Sequence, residues 1–178
     1  SMGGLVARSA AHYGAEARQA WVSRLGHIFC LGSPNLGAPL EQMTHVLTSV
    51  LRAFDTPGTQ VPAEVLEARS AGVKDLRFGY VLDEEWRDRD PEEFLANHRR
   101  EVPFVDGVAY TFVASTLTRD PEHPLGQLVG DLVILPSSAA GRSEEPARRV
   151  PFHIGRVFGG MNHLHLANHP DVYAQIRQ

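Results

Sequence analysis

Cysteine is nearly absent from this chain. Cys30 stands alone among 178 residues, so no intrachain disulfide can form and burial must hold the fold. That usage favours a reducing compartment, and the sequence predicts a cytoplasmic protein. A basic excess is also missing: 17 Lys and Arg against 21 Asp and Glu leave a net charge of −4. A nucleic-acid partner needs a basic stripe, so that class is excluded. No run of about 18 apolar residues occurs, which excludes a transmembrane helix and stable membrane insertion. Internal repeats, low-complexity tracts and a secretory signal are not visible either. What is there is 43% hydrophobic and 21% charged, the balance of an ordinary globular domain with a single core.

Periodicity sets the organisation. Residues 3–18 have a helical pattern, with Leu5, Val6 and the alanines on an apolar face and Arg8, Glu16 and Arg18 turned outward. Residues 26–32 form a short apolar run closed by Gly32-Ser33-Pro34-Asn35, the pattern of a buried strand running into a loop. Residues 108–115 are β-branched and aromatic and predict a second buried strand; residues 150–158 predict a third. A last amphipathic helix is expected over 170–178, with Val172, Tyr173 and Ile176 on one face. Strands alternating with helices imply a parallel sheet, hence an α/β fold. Three strands are few for such a sheet, and Ser1 already sits at a strand-to-helix junction, so the preceding strands are expected outside this numbering.

Residues 39–105 differ in texture. Helical pieces at 40–54, 62–70 and 91–100 are separated by Gly/Pro breaks and by an acidic-basic run at 83–90. The expected division is therefore a core segment at 1–38, a helical insertion at 39–105 and a second core segment at 106–178. Within the insertion, Leu47, Val50, Leu51 and Phe54 follow the i, i+3, i+4, i+7 rule. That face either packs the insertion onto the core or lines an apolar pocket.

Three segments carry residues suited to chemistry. Ser1-Met2-Gly3-Gly4 opens a helix, where a serine on a tight turn can project its hydroxyl, Gly3 gives room, and the Met2 N–H points at a developing oxyanion. Taken alone it also fits a cloning remnant before an ordinary helix, or an N-terminal nucleophile assisted by its own amine. Gly130-Asp131-Leu132-Val133 places a carboxylate in a loop beyond the second strand, where it can orient an imidazole or simply make a turn. Asn162-His163-Leu164-His165 follows the third strand, and His169 lies close by. Zinc at His163, His165 and His169 is a competing reading, without an H-E-x-x-H or C-x-x-C to accompany it.

These segments resemble the α/β-hydrolase superfamily of serine esterases and lipases, bacterial triacylglycerol lipases in particular. Ser1-Met2-Gly3-Gly4 is similar to the back half of the "GHSMGG" nucleophile elbow. Residues 130–138 are similar to "DGLV-x-x-x-S-S", and residues 162–173 to "NHLDLLxHPxVY". Residues 31–39 resemble the "LGTPHxGAP" turn, with Asn35-Leu36 in place of the usual His-Arg. An aspartate that binds calcium in some secreted lipases is here His165, so the resemblance implies no calcium site. It implies the superfamily's parallel sheet, a cap or lid over 39–105, and a Ser1-Asp131-His163 triad in the superfamily's chain order. The Met2 N–H becomes one oxyanion donor, and Leu47, Val50, Leu51 and Phe54 become candidate acyl contacts. No cofactor is implied, and the substrate is a small-molecule or lipid ester. An acyltransferase or thioesterase using the same triad, and a non-catalytic domain on the same fold, stand as alternatives.

Overall fold

The computed structural model describes residues 1–38, 78–87 and 98–177. Along these, helix α1 (Gly3–Glu16) and a 3-10 turn at Ala20–Arg24 precede strand β1 (His27–Leu31). A single helical turn, α2 (Asp83–Trp86), comes before strand β2 (Ala109–Ser115) and the short helices α3 (Pro124–Val129) and α4 (Pro136–Ala139). Strand β3 (Ile154–Phe158), a 3-10 segment at His163–Asn168 and helix α5 (Pro170–Ile176) complete the order. The three strands form one parallel sheet in the order β1-β2-β3, with His27 opposite Ala109 and Thr111 opposite Ile154. The protein is thus an α/β protein with a small parallel sheet and flanking helices.

β2 is the central strand, and its composition says why. Tyr110 through Ser115 are all buried, as a strand covered on both faces requires. Alternation sends Tyr110, Phe112 and Ala114 to one face and Val113 to the other. On the first face Tyr110 packs with Ala11 of α1 and with Ile28 and Cys30 of β1. Phe112 and Ala114 pack there with Val133, Ile134, Ala139 and Ala140. On the opposite face Val113 meets Met161, Leu166 and Val172, the last from α5. Each Val, Leu, Ile, Phe or Met among these stabilises by about 1.5–3 kcal/mol on burial, so the sheet is fixed from both sides.

α1 seats on β1 through a point where only glycine fits. A β-carbon on Gly4 would lie 2.1 Å from Ser33 Oγ and 3.1 Å from Cys30 Cβ. The expected need for a small residue at Gly3 therefore falls one position later; a β-carbon on Gly3 would meet nothing within 4 Å among the described residues. The helix stops where Arg18 takes a left-handed conformation (φ 50°) and Gln19 N–H bonds Gly14 O at 2.9 Å.

Several expected orientations are corrected. Arg8 does not face solvent: it is buried, with Nη1 donating to Asn35 Oδ1 at 3.1 Å. Val6 is exposed and drops out of the apolar face. Tyr173 is exposed while its neighbour Val172 is buried, so the inward stripe of α5 is Val172 and Ile176. The third strand starts at Ile154, because Val150 N–H bonds Gly141 O and Phe152 N–H bonds Val150 O in a turn instead. The acidic-basic run also folds inward at one position, since Glu85 of α2 is fully buried.

Candidate active site

Parallel pairing puts Leu31, Ser115 and Phe158, the last residues of the three strands, at one rim of the sheet. Open α/β sheets bind ligands beyond that carboxyl edge. The expected acid and base both lie there. From Phe158 the chain turns through Gly159 and Gly160, and Met161 N–H bonds Thr116 O at 2.9 Å, which brings the next residues over the end of β2. The Asn162 side chain then caps the 3-10 segment by accepting from His165 N–H at 3.1 Å.

Asp131 is held by its own loop. Its Oδ1 accepts from Val133 N–H at 3.0 Å and from Ile134 N–H at 2.8 Å. Leu117 N–H bonds Gly130 O at 3.0 Å and ties the loop to the end of β2. Leu132 pays for this turn with a φ of 81°, a left-handed conformation that a branched side chain rarely adopts. The other carboxylate oxygen, Oδ2, lies 2.9 Å from His163 Nδ1. The His163 N–H also bonds Asp131 O at 3.3 Å, so backbone and side chain both join the two residues. Ser115 Oγ, buried at the tip of β2, donates to the same Oδ2 at 3.4 Å. Asp131 is 1% exposed and His163 9%, so water competes little for these bonds.

With Asp131 as acceptor, Nδ1 carries the proton and Nε2 is the ring nitrogen left for chemistry. Gly32 backs the ring: its α-carbon lies so close that a β-carbon would stand 2.8 Å from His163 Cε1. Ser1 belongs to the same rim. Its backbone nitrogen donates to Leu31 O at 2.9 Å, one residue before Gly32. Asp131 and His163 are therefore in direct contact, and Ser1 lies on the neighbouring stretch without a hydrogen bond from its hydroxyl to His163 among the described residues. The Met2 N–H belongs to the first turn of α1, whose N–H groups no helical carbonyl can satisfy.

The remaining candidates divide cleanly. Leu47, Val50, Leu51 and Phe54 lie outside the described residues. His169 begins α5, its Nδ1 accepting from Asp171 N–H at 3.3 Å, and His165 is exposed. Among the described residues no group of three His, Cys, Asp or Glu side chains is arranged to hold a metal ion. No helix among them is long and apolar enough to cross a membrane.

Sequence reasoning missed Gly32 and Ser115 as parts of this site. Gly32 was legible only as a turn residue, and Ser115 only as the end of a strand. An apolar residue follows each of the three candidates: Met2, Leu132 and Leu164 are 51%, 53% and 45% exposed. Comparison with protein-family models, with curated proteins and with solved structures finds no match.

Proposed function

We propose that this chain belongs to an α/β-hydrolase that cleaves carboxylic esters through Ser1, His163 and Asp131. The observation that carries the reading is the 2.9 Å contact between His163 Nδ1 and Asp131 Oδ2 at the carboxyl edge of a parallel sheet, where Ser1 also lies. A buried carboxylate fixed by two N–H groups cannot rotate away, so it sets the tautomer and the plane of the imidazole.

The mechanism follows from that pair. Nε2 of His163 takes the proton of the Ser1 hydroxyl as its oxygen attacks the ester carbonyl, and the ring becomes an imidazolium stabilised by Asp131. The Met2 N–H, at the positive end of α1, donates to the oxyanion. Collapse expels the alcohol, which takes its proton from His163, and leaves an acyl-serine. Water activated by the same nitrogen then releases the acid. Catalytic hydrogen bonds of this kind often tighten only when substrate binds, so the missing Ser1–His163 bond does not argue against Ser1 as nucleophile. Exposed Met2, Leu132 and Leu164 favour an apolar acyl or alcohol group over a charged one. Most of the expected cap, residues 39–77 and 88–97, lies outside the described residues.

The test is direct. A fluorophosphonate probe followed by peptide mapping should modify Ser1, and Ser1→Ala should abolish p-nitrophenyl ester turnover while leaving the circular dichroism spectrum unchanged. Turnover retained by Ser1→Ala would put the nucleophile elsewhere.

A further inference from the structure

Asn35 departs from the lipase-like turn that surrounds it, and the structure gives the departure a role. Its side chain is fully buried in the loop after β1. Oδ1 accepts from Arg8 Nη1 at 3.1 Å, while Nδ2 donates to Ser33 O at 3.2 Å and to Ala139 O at 2.9 Å. The amide cannot be reversed, because a guanidinium only donates and a carbonyl only accepts. Ser138 makes the reciprocal contact from α4. Its Oγ accepts from Leu36 N–H at 3.2 Å and donates to Gly37 O at 2.5 Å. Both residues therefore join residues 32–38 to the segment that runs on from Asp131.

The two joined segments are those that hold the Asp131–His163 pair. The loop begins at Gly32, against the imidazole ring; the other segment begins at Asp131, which binds the ring through Nδ1. We propose that Asn35 and Ser138 are positioning residues, a buried clamp that fixes the surface behind His163 relative to the carboxylate beside it. The catalytic consequence rests on the triad reading given above; the geometric one does not. Apolar packing of Ala38 with Val133, Ile134 and Ala139 runs alongside the clamp but has no directional preference. The hydrogen bonds supply the register. A misplacement of about 1 Å in such a pair costs up to about a hundredfold in rate.

The experiment compares Ser138→Ala, Asn35→Ala and Ser138→Thr with Val108→Ala, a buried site at the start of β2 away from the clamp. Two readouts are used in the intact protein: the rate of fluorophosphonate labelling, and the downfield imidazole N–H resonance that reports the His163–Asp131 bond. Ser138→Ala and Asn35→Ala should slow labelling about tenfold and shift or broaden the resonance. Val108→Ala should lose Tm without either change, and Ser138→Thr, which keeps the hydroxyl, should recover both. A wild-type resonance and rate in Ser138→Ala would overturn the clamp. So would a wild-type protein that lacks the resonance, or a Val108→Ala variant that reproduces both effects. Absence of labelling at Ser1 in a wild-type protein that shows the resonance would sink the hydrolase reading alone, and the resonance would still judge the clamp.

Discussion

Gly32 lies against the edge of the His163 imidazole, with no room between them for a side chain. A β-carbon at position 32 would stand 2.8 Å from Cε1 and 3.1 Å from Nδ1, and 2.8 Å from Leu166 Cδ1. The residue also has a φ of +53°, where side chains are disfavoured. Gly32→Ala should therefore act twice. Left-handed strain costs about 1–2 kcal/mol, which lowers Tm by several degrees. The ring must shift at Cε1 and Nδ1, which disturbs the Nδ1–Asp131 contact, and in the proposed esterase reading turnover should fall about a hundredfold with KM little changed. Steady-state kinetics below Tm separate the two effects, and a wild-type kcat in Gly32→Ala would contradict this contact.

Asp131 offers a test in which catalysis and stability part company. An asparagine can still accept from the Val133 and Ile134 N–H groups, but its Nδ2 would face Nδ1 of His163 and force the other tautomer. Asp131→Asn should then retain most of its thermal stability and lose about a thousandfold or more in kcat. Asp131→Ala leaves both buried N–H groups unpaired and should lose about 2–4 kcal/mol as well. Thermal melts and kcat for the two variants, side by side, check the division. Equal stability of the two would mean that the loop N–H groups find water.

How far the sequence disclosed these features depended on the kind of signal. The runs at 26–32 and 108–115 matched His27–Leu31 and Ala109–Ser115 within a residue, because a buried parallel strand is apolar throughout. Their parallel pairing followed from the intervening helices. The Asp131–His163 pairing was an expectation of the resemblance to α/β-hydrolase lipases, since the local motifs alone also allowed a turn aspartate and a histidine metal site. Arg8 and Glu85 were not, since a charged residue in a helical pattern reads as surface. Partners distant in sequence help make their burial tolerable: Asn35 for Arg8, and Arg100 N–H for one oxygen of Glu85. The left-handed Leu132 was equally hidden, because its conformation is imposed by the two hydrogen bonds to Asp131 Oδ1 and not by its own preference.

Glu85 should be among the least replaceable surface-type residues in the chain. Its Oε2 accepts from Val81 N–H at 2.6 Å and Leu82 N–H at 2.8 Å, and its Oε1 from Arg100 N–H at 2.6 Å. The same turn packs Val81 and Leu82 on Leu5 of α1, and Asp83 N–H bonds Tyr13 Oη at 2.7 Å. Burial pushes the Arg8 guanidinium down, and the charge of Glu85 opposes that shift, so the carboxylate also serves a buried cation. Glu85→Ala should destabilise by about 3–5 kcal/mol. Glu85→Gln should fall between it and wild type, since an amide can satisfy only part of this set. Urea unfolding monitored by Trp fluorescence measures both, and a loss below about 1 kcal/mol for Glu85→Ala would show that the three N–H groups are served some other way.

Cys30 gives the alkaline prediction. It is fully buried beneath α1, with Sγ 3.9 Å from Gly4 O, and burial pushes its thiol up to about 11, against the pull of Arg8. A thiol at the ordinary value of 9.0 loses its proton at lower pH, as it does once the chain unfolds. The unfolded state therefore releases this proton first as pH rises, and stability falls through the window from about 9 to 11. Below that window the shift contributes nothing to the pH dependence. Cys30→Ala should accordingly flatten the decline of Tm between pH 9 and 11 without changing its slope near neutrality. At pH 8 the native thiol holds about a hundredfold less thiolate than an exposed one, so iodoacetamide should modify it only in denaturant. Rapid labelling of the native protein would place the thiol nearer solvent than the packing of Gly4 on β1 allows.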